Sequence, residues 1–253
     1  MSDIEVTMHI TSYNRPQRLR GCIESFFSSC EYDMSKLELI IVDNGSDNEE
    51  VLSYIKNLEV PCAEYRYILN DKNDYPSCLR FAKIQARRIA KGNYFVDCPD
   101  DHMFVVKSDW ISENIELLEY DNTAGCIIHF AQPEYRYAKA NNKMIRLPNG
   151  LLRSCHKGYA DYHIMRREVY KELGEYEYQL GREAEDEYMD RALKAGYHRN
   201  IMKIPVAFVN DDGYSFVNTI ESDKLVEYFE NQKIPITNEQ MIALSLHHNL
   251  IQK

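Results

Sequence analysis

The 253-residue chain has no C-x-x-C pair, no glycine-rich phosphate loop, no long apolar run and no excess of basic charge. Each absence removes a class. Its seven cysteines, at 22, 30, 62, 78, 98, 126 and 155, are scattered, odd in number and never closer than eight residues apart. That pattern suits neither structural zinc nor a disulfide framework, so the thiols read as small buried hydrophobes in a reducing compartment. No apolar stretch approaches the length of a membrane span. The segment after the first strand, Ser12-Tyr13-Asn14, is neither a basic phosphate loop nor a G-x-G-x-x-G. This argues against nucleotidyltransferases and dinucleotide-dependent dehydrogenases. A formal charge of −10 argues against nucleic acid as a partner, because clustered Lys and Arg drive such binding. It leaves room for a small anionic ligand whose charge a divalent cation neutralises locally. The start, Met1-Ser2-Asp3-Ile4-Glu5, is acidic and runs into a strand. No signal peptide is expected there, and the expected location is cytoplasmic, with peripheral contact to a membrane still open.

What is present is an ordinary globular composition, 44% hydrophobic and 28% charged. The length allows one large domain, or one domain with a small appendage, and a sizeable core. A strand is expected at Val6 to Ile10, followed by a helix whose stripe is Leu19, Cys22, Ile23, Phe26 and Phe27, with Pro16 in its first turn. A second strand, Leu37 to Val42, ends in the turn Asp43-Asn44-Gly45-Ser46. Asp47 and Glu50 then offer a capping box for a helix burying Val51, Leu52 and Ile55. A third strand is expected at Ala63–Leu69. After it, Pro76 and Ser77 open a helix with Cys78, Ala82, Ala86 and Ile89 on one face, stopped by Gly92. A fourth strand, Tyr94 to Val96, leads into Asp97-Cys98-Pro99-Asp100-Asp101-His102. This alternation predicts a parallel α/β sheet.

Regularity fades afterwards. Asp109 can cap a helix carrying Trp110, Ile111, Ile115 and Leu118, and Gly125 to Phe130 reads as a strand. Residues 131–160 read as loop, rich in tyrosine, with Pro133, Pro148 and Gly150. Glu185 to Lys194 reads as a helix ended by Gly196, and Ile204 to Val209 as a late strand. From about Glu221 the pattern is helical, with a break at Pro235 before a last helix, Asn238 to Leu250. No internal repeat or low-complexity tract is present.

Acidic residues just past the carboxyl ends of neighbouring strands sit where open α/β sheets bind ligands. Asp100 and Asp101 are adjacent carboxylates, which suits a hard cation such as magnesium or manganese. Asp43, beside a glycine turn, suits recognition through one rigid acceptor.

In this order the residues resemble the family 2 glycosyltransferases. Thr11-Ser12-Tyr13-Asn14-Arg15-Pro16 is similar to the family's P-T-Y-N-R-P. Ile41-Val42-Asp43-Asn44-Gly45-Ser46-Asp47 is similar to V-V-D-D-G-S-x-D. Ala90-Lys91-Gly92-Asn93-Tyr94 followed by Asp100-Asp101 resembles A-x-G-x-Y leading into the D-x-D region. Tyr162 to Val169 with Leu173-Gly174 resembles the segment ending R-x-x-x-x-x-x-G-G-F-D-E. Glu185-Asp186-Glu187 with Arg191 and Ala195-Gly196-Tyr197 resembles the E-D-x-D-L-x-x-R-x-x-x-A-G-Y helix. The matches cover roughly residues 6–200.

The resemblance implies a GT-A fold, a Rossmann-like, mostly parallel sheet flanked by helices, here with a helical C-terminal tail. The glycosyltransferase domain would span 1–220, with a nucleotide-sugar half over about 1–105, an acceptor half over about 106–220 and the tail over 221–253. It implies a metal-dependent, inverting enzyme moving a sugar from a nucleotide-diphospho-sugar, in the first instance a UDP-sugar, to a hydroxyl acceptor. That acceptor is a glycan, a lipid-linked glycan or a small molecule. Thr11 and Tyr13 would line the base, and Asp43, with Asn44 beside it, would accept from a base N–H and favour uracil. Arg15 or Arg80 would offset part of the diphosphate charge. Asp100 would face the ribose, and Asp101, with Asp100 as second candidate, would ligate Mn2+ or Mg2+.

Glu185 or Asp186 would be the general base. Counting back from Gly196 favours Glu185, and matching the Glu-Asp dipeptide favours Asp186. Two departures stand out: Pro99 occupies the first position of a strict D-x-D, and the acidic helix is one residue shorter than the family's pattern. Asp97 comes too early for the metal and points elsewhere on its strand. The departures keep a rival open, a protein that binds nucleotide-sugar on the same fold without transferring it.

Overall fold

A computed structural model describes residues 4–73, 80–104, 106–128, 130–131, 144–146, 152–154, 163–177, 184–201 and 207–209. The alternation expected for the first hundred residues is there. It runs β1 (Val6–Ser12), α1 (Pro16–Ser29), β2 (Leu37–Asp43), α2 (Glu49–Lys56), β3 (Glu64–Leu69), α3 (Arg80–Ile89) and β4 (Tyr94–Pro99). β5 (His102–Phe104), α4 (Trp110–Tyr120), β6 (Ala124–Ile128) and β7 (Phe130–Ala131) follow. Then come β8 (Met144–Arg146), β9 (Leu152–Ser154), β10 (His163–Arg166), α5 (Arg167–Leu173), α6 (Ala184–Lys194), β11 (His198–Ile201) and β12 (Ala207–Val209).

A nine-stranded sheet has the order β3-β2-β1-β4-β10-β6-β11-β9-β8, and a three-stranded sheet has the order β5-β12-β7. The first four strands are parallel, while β10 runs against both β4 and β6. Every residue of β1 and β2 is buried, as parallel strands with helices on both faces must be.

Alternate residues divide between two cores. Val6, Met8, Ile10, Leu37, Leu39 and Ile41 pack with Leu19, Cys22, Ile23 and Phe26 of α1, Val51 and Ile55 of α2, and Trp110 of α4. Ile40, Val42 and Phe95 pack on the other face with Ala82 and Ala86 of α3 and Tyr188 of α6. On β1 that second face is polar: Thr7, His9 and Thr11 are all buried.

Several boundaries differ from the sequence expectations. β4 extends three residues past Val96, because Asp97 is neutralised inside the core instead of being turned out to solvent. The helix after Asp43 is capped by Asn48, which accepts from the Glu50 and Val51 amides. Asp47 is engaged elsewhere, accepting from the Asn14 side chain at 2.8 Å. The stretch read as loop contains the β8–β9 hairpin, and β10 and β11 join the large sheet unannounced. The strand expected at Gly125 to Phe130 is divided between the two sheets. Pro76, Ser77, Cys78 and the helical tail over 221–253 lie outside the described residues, as does the start of the late strand expected from Ile204.

Asp97 organises the polar face. One carboxylate oxygen meets His9 Nδ1 at 2.5 Å, and the other meets Arg87 at 2.9 Å and Lys83 at 3.6 Å and accepts from the Tyr176 hydroxyl at 3.2 Å. Burial alone would raise this carboxyl, but the Lys83 and Arg87 charges and His9 hold it well below the usual carboxylate range. For His9 the balance goes the other way. Burial lowers its pKa despite the neighbouring Asp97 charge, aided by Lys83 and Arg87.

The folded protein therefore keeps His9 neutral while the unfolded chain takes up a proton below its ordinary value of 6.5. Stability is full above that pH and falls as pH drops through it, by up to about 1.4 kcal/mol per pH unit for one proton. Asp97 adds to the loss only below 3.8. Urea melts at pH 7, 6 and 5 should show this decline, and His9→Gln should flatten it; an equal slope in the variant would remove His9 as its cause.

Candidate functional site

The parallel register aligns the carboxyl ends of three strands. Ser12 pairs with Asp43, and Thr11 pairs with both Val42 and Pro99. The loops that follow, 13–15, 44–48 and 100–101, therefore leave the sheet side by side.

Asp43 is fully buried at the end of β2. Its carboxylate accepts from the Gly45 amide at 3.1 Å, the Ser46 amide at 2.7 Å and the Ser46 hydroxyl at 2.5 Å. Three of the carboxylate's roughly four acceptor sites thus hold the turn. The Asn44 amide continues the ladder to the Ser12 carbonyl at 2.8 Å, and Asn44 is buried with it. Gly45 has φ +84°, and a Cβ there would stand 2.3 Å from the Lys72 carbonyl carbon. Only glycine fits a left-handed position pressed against another backbone.

Asp100 and Asp101 follow β4 directly. Asp100 is 3% exposed and accepts from the Ser12 hydroxyl at 2.8 Å. Burial pushes its pKa up, against the Ser12 hydrogen bond and the charges of Arg15 and Arg18. Arg15, with half of its side chain in solvent, reaches Asp100 at 3.6 Å and Asp101 at 3.8 Å. The donor set is oxygen only and anionic. Among the described residues no group of three His, Cys, Asp or Glu gathers as a complete metal cage. Two carboxylates fit a magnesium-like ion that takes its remaining ligands from water and substrate phosphates. His102, the next residue along, faces inward, with Nδ1 3.2 Å from Cys98 Sγ.

Of the sequence candidates, the fold brings Thr11, Tyr13, Arg15, Asp43, Asn44, Asp100 and Asp101 to one edge. Tyr13 is 41% exposed, offering a ring face, while Thr11 is buried with its hydroxyl 3.2 Å from His9 Nε2. Arg80 stacks over Phe81 at 4.5 Å and lines a cleft of about 620 Å³ with Asn70, Asp71, Lys72 and Tyr176, to which none of Asp43, Asp100 and Asp101 contributes. Glu185 and Asp186 occupy the first turn of α6. Their neighbour Glu187 is buried and committed: it accepts from the Glu177 amide at 3.0 Å and pairs with Arg191. Asp97, as expected from sequence, takes no part in the acid pair.

Sequence reasoning missed Ser12, Ser46 and the Asn14–Asp47 contact, because each acts through a partner more than thirty residues away. The polar alternation Thr7, His9, Thr11 was the available signal for the buried Asp97 network.

A family model described as glycosyl transferase family 2 matches residues 7–174. Among solved structures, the chain is similar to a mannosyltransferase from Pyrobaculum calidifontis in complex with GDP-Man and Mn2+. The identity is 16%, the TM-score 0.61, and the match covers 97% of this chain and 69% of that one. It is similar to S. aureus TarS 1–349 at 11% identity and TM-score 0.58, covering 80% of this chain and 59% of that one. It is also similar to GalNAc-T7 with UDP, GalNAc and Mn2+, at 14% identity and TM-score 0.59, covering 81% and 43%. The chain thus spans less than two thirds of the length of the latter two. These likenesses are of fold, the GT-A glycosyltransferase architecture expected from the motifs. No curated protein sequence matches.

Gly45→Ala should destabilise the protein by about 1–3 kcal/mol from backbone conformation alone, with the contact to Lys72 adding to it. Urea denaturation measures this, and an unchanged midpoint would show that the turn relaxes freely.

Proposed function

The chain belongs to glycosyl transferase family 2, and from that premise we propose that it moves a sugar from a nucleotide-diphospho-sugar, in the first instance a UDP-sugar, to a hydroxyl acceptor with inversion. The observation that carries this reading is the cluster Ser12, Arg15, Asp100 and Asp101 beside the Asp43 turn, one recognition end and one anionic end along a single sheet edge. The assigned halves are about 1–105 for the donor and about 106–220 for the acceptor.

In this reading Tyr13 stacks on the base, Asp43 accepts from its imide N–H, Asp100 faces the ribose and Asp101 holds Mn2+ or Mg2+. A bound divalent cation offsets the charge that builds on the leaving diphosphate. Arg15, which reaches Asp100 and Asp101, would meet the same charge, with Arg80 a second candidate. The acceptor hydroxyl is a weak nucleophile, and a carboxylate that takes its proton contributes about 10²–10⁴-fold. Glu185 and Asp186 are the candidates, because Glu187 is already engaged with Arg191 and the Glu177 amide. Inversion asks for a base on the face of the sugar opposite the leaving group, and an acid carried by α6 would serve there. Residues that would select the acceptor fall mainly in 131–160 and beyond 210, outside most of the described chain. Among the described residues no helix is long and apolar enough to cross a membrane.

Calorimetry with UDP and GDP, in Mn2+ and in EDTA, tests the donor assignment. UDP should bind more tightly with Mn2+, and Asp101→Asn should abolish that difference without unfolding the protein. Equal affinity in the two buffers would remove the metal, and preference for GDP would remove uracil recognition.

The base assignment is read from turnover of a panel of UDP-sugars. Asp186→Asn or Glu185→Gln should lower turnover by about 10²–10⁴-fold while UDP affinity holds. Two fully active variants, each softened by no more than about 0.3–1 kcal/mol as helix-terminus charges would be, would leave α6 without a catalytic acid.

A further inference from the structure

Asn14 is where the loops after β1 and β2 meet. Its φ is +54°, the one positive value outside glycine among the described residues. Side chains rarely adopt this conformation, and Asn and Asp tolerate it best after glycine. The sharp turn leaves Tyr13 facing solvent and directs Arg15 toward Asp100 and Asp101. The turn is held from outside its own loop. Asn14 Oδ1 accepts from the Asp47 and Asn48 amides, both at 3.1 Å, and its Nδ2 donates to Asp47 at 2.8 Å. Its own amide donates to the Ser46 hydroxyl at 2.8 Å, and that hydroxyl donates on to Asp43.

We propose that Asn14 is a positioning residue for donor binding, one that fixes Tyr13 and Arg15 against the Asp43 turn so that both ends of the site depend on it. This rests on the reading that these loops hold a nucleoside diphosphate. The chemistry of the position asks for one group with an acceptor toward two amides, a donor toward a carboxylate and tolerance of a left-handed backbone; an asparagine meets all three. A carboxylate at this position would meet Asp47 as a like charge. An aliphatic residue would take the acceptor from the part-buried Asn48 amide and disfavour the turn. The contacts to Asp47 lie at the surface, where water replaces a lost hydrogen bond readily. Stability therefore depends on them weakly, whereas the placement of Tyr13 and Arg15 depends on them directly.

The test is UDP calorimetry in Mn2+ and in EDTA, with thermal melting alongside, on wild type, Asn14→Ala, Asn14→Gly, Asn14→Asp and the exchange variant Asn14→Asp with Asp47→Asn. Asn14→Ala should weaken UDP about tenfold or more in both buffers, unlike Asp101→Asn, which acts only on the metal-dependent part. Asn14→Gly should weaken it less, because glycine keeps the backbone angle. Asn14→Asp should be impaired, and the exchange variant, in which carboxylate and amide trade places at unchanged net charge, should recover most of the affinity.

Wild-type affinity in Asn14→Ala overturns the proposal. So does failure of the exchange variant to rescue, or a loss of binding explained by the unfolded fraction at the assay temperature. Wild-type protein that binds UDP in neither buffer overturns the donor-site reading and this inference with it; binding unaffected at Asn14 overturns the inference alone.

Discussion

The parallel hydrogen bonding of β1 to β2 on one side and to β4 on the other is the constraint on which the rest of the protein depends. Parallel strands need crossover connections, and helices supply them here, burying both faces of the sheet. Because the strands point one way, their carboxyl ends share one edge, and the register sets Ser12 beside Asp43 and Thr11 beside Pro99. Carboxylates that are 43 and 100 residues into the chain thus come to the same edge, with β1 between their strands. A slip of one residue in β2 would turn Asp43 to the opposite face of the sheet.

The sheet holds charge where apolar side chains would ordinarily suffice. Asp97, Lys83, Arg87 and His9 are buried on the α3 face. The Arg87 guanidinium lies 4.7 to 5.6 Å from the ring centres of Tyr170, Tyr176, Tyr188 and Phe95. At the other end of the same strands, Glu38 is buried against Arg66 and accepts from the Thr7 hydroxyl and the Lys91 amide. Buried ion pairs add little net stability compared with well-packed apolar groups, but loss of one partner strands the other. The network couples β1, β4, α3, α5 and α6 through one guanidinium and one carboxylate. It therefore joins the central strands to the helix that carries Glu185 and Asp186.

The strand-end loops and α6 are held in different ways. The strand-end loops are short, tied to one another and seated on strands buried from both sides. α6 is held through Glu187, Arg191 and Tyr188 to the segment 173–177 and to the α3 face. In the proposed reading the strand-end loops hold the donor and α6 carries the base, so the donor loops need not change with the acceptor.

The sequence alone determined the α/β class, the order of the first four strands and three helices, the two acidic strand ends and the family. Those features depend on local periodicity, turn chemistry and short motifs, which are written in neighbouring residues. It misplaced the cap of α2 by one residue, because Asp47 and Asn48 are equally good caps locally and Asn14 decided between them from 33 residues away. It ended β4 at Val96, because an acid reads as a strand end until His9, Lys83 and Arg87 are seen around it. β10 and β11 escaped notice because a four-residue strand has too few turns of its pattern to announce itself. What only the tertiary structure decided was which polar residues are spent on holding the fold, Asp97, Glu187 and most of Asp43, and which still face outward, Tyr13 and Arg15. That division depends on partners distant in the chain, and a linear pattern carries no record of them.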